Sequence, residues 1–157
     1  MRLFFACWPP AGTARALADW ARSAQRECGG RATRLEHIHL TLSFLGDADP
    51  DLARARGAAI RRPVLALPLE QARYWAHNRI VWAGPMQAPA ELQALARALG
   101  ETREFAAHVT LIRKARAPRI LPPLPAAEWP VTQFTLVNSV LGAEGPSYEV
   151  LARYALG

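Results

Sequence analysis

A chain of 157 residues is sized for one ordinary domain and is long enough to bury a core. Apolar residues make up 51% and charged ones 20%, with the signs mixed, which excludes disordered and collagen-like classes. Nineteen basic against thirteen acidic side chains give a net charge of +6, and all the basic residues but Lys114 are arginine; this favours polyanionic partners without naming one.

Residues 2–8 read as a strand ended by Pro9-Pro10. Leu17, Trp20, Ala21 and Ala24 fall at helical spacing across 13–27, with Thr13 as the expected N-cap and Gly29-Gly30 just past the end. His37–Leu45 reads as a second strand, and Asp49-Pro50-Asp51 starts a short helix running to about Ile60. Strands at Val64–Trp75 and Arg79–Ala83 follow, joined by a turn at His77-Asn78. Pro89–Leu99 forms a helix with Leu92, Leu95, Ala96 and Leu99 on one stripe. Ala106–Arg113 is a further strand, 115–130 is a crossing with five prolines, and Val131–Leu141 with Tyr148–Ala155 make a closing hairpin. The order is α+β, and its approximate repetition on either side of residue 75 suggests two lobes within one domain spanning 1–157.

The longest apolar runs, such as Leu3–Trp8, fall far short of the roughly 20 residues a spanning helix needs. The N-terminus lacks the pattern of a signal peptide, so a cytoplasmic location and no membrane partner are expected. Cys7 and Cys28 have no metal-type or disulfide-type spacing and read as free thiols.

Two segments share a pattern: His39-Leu40-Thr41-Leu42 and His108-Val109-Thr110-Leu111. Alternation along a strand puts each imidazole and its hydroxyl on one face and the apolar pair on the other. Histidine titrates near neutrality, so a pair can supply a base to one oxygen and an acid to another in an in-line displacement at phosphorus. The hydroxyls can stabilise the non-bridging oxygens. One such unit alone is most simply a half-buried strand with a polar face; the matched pair reverses that judgement. Metal binding by His39 and His108 is the weaker alternative, because no further ligand lies at useful spacing. His37 shares the face of His39, whereas His77 reads as a turn residue at the surface.

With Arg2-Leu3-Phe4-Phe5-Ala6 at the start, His39–Gly46 and His108–Arg113 in the middle and Tyr148-Glu149-Val150-Leu151 near the end, the chain resembles the two-histidine (2H) phosphoesterase superfamily, in particular its RNA 2′,3′-cyclic phosphodiesterases, also called 2′-5′ RNA ligases. The resemblance implies a bilobed fold with two antiparallel sheets related by a pseudo-two-fold around a central groove. It implies metal-independent, cofactor-free hydrolysis of RNA or nucleoside 2′,3′-cyclic phosphates to 2′-phosphates, by a monomer. Under it His39 is the general acid for the 3′ leaving oxygen and His108 the base, a pair of roles open to exchange. Thr41 and Thr110 hold the phosphate, Arg113 adds a charged contact, and Phe44 offers a ring to the base.

Strict alternation places Arg113 and Phe44 on the wrong face, so each strand must bend for these two assignments to hold. Ala107 and Asn138 depart from the residues many relatives carry, which bears on loop shape more than on the reaction. Arg31, Arg34, Arg73, Arg79, Arg116 and Arg119 are candidates for the rim of an RNA groove. The alternatives are a non-catalytic basic RNA-binding module using aromatics such as Tyr74, Trp75 and Trp82, and 2′-5′ ligation as the working direction.

Overall fold

A computed structural model describes all 157 residues. Ten strands form two four-stranded antiparallel sheets and one small two-stranded sheet, with three α-helices outside them. The first sheet contains β1 (Arg2–Cys7), β3 (Leu40–Asp47), β9 (Gln133–Gly142) and β10 (Gly145–Ala155), in the order β10-β9-β1-β3. The second contains β2 (Arg31–Ala32), β5 (Gln71–Trp75), β6 (Ile80–Gly84) and β7 (Val109–Arg113), in the order β2-β7-β6-β5. β4 (Leu65–Ala66) and β8 (Pro130–Val131) pair separately.

The two large sheets repeat one unit. In the first, β1 leads through α1 (Ala11–Cys28) to β3, its antiparallel neighbour; in the second, β6 leads through α3 (Ala90–Ala98) to β7, again its antiparallel neighbour. β9 flanks β1 as β5 flanks β6. A continuous core of 28 buried residues takes side chains from both sheets and from the helices, including Leu17, Leu40, Leu92, Val109 and Trp129.

Helix ends follow local chemistry. α2 (Pro50–Ala58) starts at Asp49, whose carboxylate accepts from the Asp51 amide at 2.8 Å, the capping role its position predicts. Thr13 is different: α1 begins two residues earlier after Pro10, so Thr13 lies inside the helix, and its hydroxyl donates to the Glu128 carbonyl. That bond, with Trp20 Nε1 donating to the carbonyls of Pro122 and Pro123 at 3.1 Å, fixes the proline-rich crossing to α1. Proline withholds a donor but leaves its carbonyl free to accept, so a helix side chain replaces the missing sheet partner.

Several expected elements are shorter than their apolar pattern. The stretch 64–75 splits into β4 and β5 around Pro68, and the closing hairpin turns at Ala143-Glu144, tighter than the 142–146 loop expected. His37 belongs to a single 3₁₀ turn, Leu35–His37, and both His39 and His108 sit one residue ahead of their strands. No helix is long and apolar enough to cross a membrane.

Candidate active site

The short β2 hydrogen-bonds to β7 in the second sheet, and the chain then passes through the 3₁₀ turn to enter β3 in the first. Gly30 starts this crossing at φ 74°, where an added Cβ would collide with the Arg113 carbonyl, so the close approach of β2 to the end of β7 requires glycine. Thr33 secures the next step by donating its hydroxyl to the Thr110 carbonyl at 2.9 Å. The crossing segment thereby becomes one wall of a groove between the sheets.

That groove has a volume of about 610 Å³ and is lined by His39, Thr41, His108, Thr110 and Arg113. Both H-x-T units therefore open into one cavity. Arg31, Arg34, His37, Asn78 and Tyr148 also line it, together with the tip of the closing hairpin at Glu144.

The two imidazoles are held alike. His39 Nδ1 donates to the His37 carbonyl at 2.7 Å, and His108 Nδ1 donates to the Ala106 carbonyl at 2.8 Å. A carbonyl only accepts, so each neutral ring carries its proton on Nδ1 and presents the Nε2 lone pair. Starting the strand one residue after the histidine lets the ring turn back to the carbonyl two residues earlier. In the first lobe the Thr41 hydroxyl lies 3.1 Å from His39 Nε2 and donates to it.

Aromatic rings surround both histidines. Phe4, Trp8 and Tyr148 lie with centroids 5.4, 5.1 and 5.3 Å from His39, while Trp75 and Trp82 lie 4.8 and 6.4 Å from His108. Burial in this setting pushes the His39 pKa down to about 4, against a smaller opposing effect of its bond to the His37 carbonyl; the charges of Arg113, His37 and His108 push it further down. His108 is lowered as well, first by burial and then by Arg113, with its bond to Ala106 opposing. Both rings thus favour the neutral form more than a free imidazole does. The guanidinium of Arg113, in the lining of the same cavity, disfavours the charged form of both rings.

A β-bulge brings Arg113 into the groove. Thr110 pairs with Trp82 and Ile112 with Val81, so Leu111 is an extra residue in β7. Leu111 and Ile112 are consequently both buried, and the alternation resumes with Arg113 on the side of Thr110. The same device follows Thr41: Thr41 pairs with Ala6 and Ser43 with Phe5, leaving Leu42 extra and returning Phe44 to the face of Thr41. Phe44 nevertheless lies outside the cavity lining, 46% exposed, beneath the Arg2 guanidinium 5.7 Å from its ring centroid. The face expected for Phe44 is thus observed, and contact with the groove is not.

Of the six arginines considered for a rim, Arg31 and Arg34 line the cavity. Arg79 is committed elsewhere, donating to the Ala115 and Lys114 carbonyls, and Arg73 bonds Gln71. Neither Arg31 nor Arg113 takes part in an ion pair. Tyr148 lines the groove while Phe4 and Trp8 pack against His39, and sequence reasoning gave none of the three a role in the site.

Comparison with known proteins agrees with this geometry. Two curated proteins named RNA 2′,3′-cyclic phosphodiesterase match nearly the whole chain. The one from Escherichia coli K12 is 34% identical, covering 99% of this chain and 96% of the relative. The chain belongs to the LigT-like phosphoesterase family. The Thermus thermophilus protein is 32% identical, covering 99% of this chain and 90% of its own length. A family model described as LigT like Phosphoesterase matches residues 8–82. The crystal structure of E. coli LigT in complex with 3′-AMP superposes with a TM-score of 0.90 at 34% identity, covering 99% of this chain and 97% of that one. The fold is the α+β two-sheet architecture of these LigT-like phosphoesterases.

Proposed function

We propose that this LigT-like phosphoesterase hydrolyses the 2′,3′-cyclic phosphate of an RNA end or a nucleotide to the 2′-phosphate, using His39 and His108 as its acid–base pair. One observation carries the reading: two H-x-T units, each with Nδ1 anchored on a carbonyl two residues earlier and Nε2 left as the proton-transfer nitrogen, open into a single cation-lined cavity. The names of the E. coli and T. thermophilus relatives supply the substrate class.

The cyclic phosphate binds as a monoanion. Arg113 offers a planar fork to its non-bridging oxygens, and the two threonine hydroxyls add donors that strengthen as charge builds on those oxygens. Thr41 then turns from His39 Nε2 to the phosphate, releasing that nitrogen. One imidazole takes a proton from the attacking water while the other gives one to the departing 3′ oxygen, on opposite sides of phosphorus. The bond from phosphorus to the 3′ oxygen breaks, the bond to the 2′ oxygen remains, and the pair exchanges its proton with solvent to reset. A bound anion raises both imidazole pKa values, which makes one protonated ring accessible near neutrality.

Burial lowers the proton affinity of both imidazoles, bringing His39 down to about 4. His39 as acid and His108 as base are the roles that the resemblance implies, and the two are open to exchange. The overall reading is tested by incubating the protein, with chelator present, with adenosine 2′,3′-cyclic phosphate. Accumulation of 2′-AMP is expected; no turnover across the four nucleoside cyclic phosphates would remove the proposal. The non-catalytic RNA-binding alternative requires histidines incidental to one another, and nothing in their matched anchoring favours it.

A further inference from the structure

A second cavity of about 360 Å³ adjoins the groove, within the usual size range of small-ligand clefts. His37 and Tyr148 line both cavities, their ring centroids 4.7 Å apart, so these two side chains form the wall between them. Beyond that wall stand Trp8, Glu36, Gln133 and Arg153.

The sheet register explains this grouping. Thr135 pairs with Ala6 on one side and with Arg153 on the other, so all three share a face, and Trp8, two residues beyond Ala6, continues it. Leu151 is an extra residue in β10, between Val150 opposite Val137 and Ala152 opposite Leu136. This bulge returns Arg153 to the face of Tyr148 and Val150. Trp8 is fixed in place because its indole N–H donates to the Thr135 hydroxyl at 2.8 Å. Arg153 is exposed and takes part in no ion pair.

A half-buried aromatic ring beside an uncommitted guanidinium, with an amide and a carboxylate at hand, is the equipment for one nucleotide of single-stranded nucleic acid: the ring stacks the base, the cation meets the phosphate, and the polar groups meet base edges. An RNA whose terminal cyclic phosphate lies between His39 and His108 must leave the groove through the 5′ side of that nucleotide. We infer that the second cavity is the subsite for the next nucleotide in the 5′ direction, its base against Trp8 and its phosphate at Arg153. The inference rests on the cyclic-phosphate reading of the groove and deepens it, from a nucleotide to an RNA terminus.

The test compares kcat/KM for adenosine 2′,3′-cyclic phosphate with that for the dinucleotide ApA ending in the same group. The dinucleotide should be favoured roughly tenfold, the effect of about one added stacking and phosphate contact. Arg153→Glu should remove most of that preference and leave the mononucleotide within about twofold of the parent rate, as expected of a substitution away from the reacting atoms. Arg153→Lys should restore part of it. Equal efficiency on both substrates in the unmodified protein would overturn the subsite while leaving the hydrolase intact. An equal loss on both substrates in Arg153→Glu would also overturn it, by placing the terminal nucleotide itself in this cavity. Turnover of neither substrate would remove the reading of the groove and the subsite with it.

Discussion

The two lobes place a histidine and a threonine in corresponding positions, yet the surroundings of the two histidines differ. Opposite Thr41 stands Ala6, and rings from three places, Phe4, Trp8 and Tyr148, surround His39. Opposite Thr110 stands Trp82 itself, and it and Trp75 are the two rings beside His108. Matched anchoring fixes where the two protons sit; unmatched aromatic cover gives the two rings different surroundings. A near-symmetric scaffold thereby acquires an asymmetric pair, which acid–base chemistry requires.

The largest expected effect strikes both lobes alike. His39→Ala and His108→Ala should each lower kcat by about 10²–10⁴-fold, the usual worth of a positioned proton-transfer group, with circular dichroism unchanged. Retention of near-normal rates by either variant would break the pairing. An aryl phosphodiester with an activated leaving group sharpens the comparison, because it needs no acid: the variant whose deficit shrinks most on that substrate has lost the acid.

Arg113→Met should cost about 100-fold in kcat/KM, and Arg113→Lys should recover only part of that, since a point charge cannot reproduce the bidentate fork. The pH dependence comes next. Because both free-protein imidazoles lie below the ordinary value of 6.5, kcat/KM should peak below pH 6.5, with an acid limb near pH 4 that belongs to His39. A peak at or above pH 7.5 would contradict the burial argument.

The same shift links to stability. The unfolded chain binds a proton at His39 near pH 6.5 and the folded chain only near pH 4, so this residue costs nothing above pH 6.5 and destabilises progressively as pH falls toward 4. Chemical denaturation across that window should show His39→Gln losing less stability than the parent, by about 2 kcal/mol after allowance for the ring's partial exposure. The smallest effect is expected at Phe44. Phe44→Ala should change kcat/KM by less than about twofold, as for a side chain remote from the reacting atoms, and a larger loss would place its ring over the substrate.

Much of this was legible in the residues. The order of the principal elements, both helical stripes and both H-x-T units stand out because periodicity and residue chemistry are local properties. The splitting of 64–75 was not legible, because its apolar pattern runs past Pro68 while the hydrogen bonding cannot. Thr13 shows the same limit: a hydroxyl near a helix start suits a cap, and only the folded chain reveals a carbonyl 115 residues away that claims it. For the groove, the parity conflict at Arg113 and Phe44 was visible as a conflict. Its resolution depends on which residues face each other across β6–β7 and β1–β3, a pairing that no single strand encodes. Trp8 and Tyr148 were given no role in the site, because an aromatic residue in or beside a strand is ordinary until three of them meet one imidazole.

The extra leucine after each threonine has a consequence for how the two halves diverge. It inserts a phase slip between the part of the strand that aims the imidazole and the part that aims the sixth residue counted from the histidine. The occupant of that downstream address, a phenyl ring in one half and a guanidinium in the other, can therefore be exchanged without re-aiming the histidine upstream. A scaffold wired this way can retune what it grips while leaving its proton-handling geometry untouched.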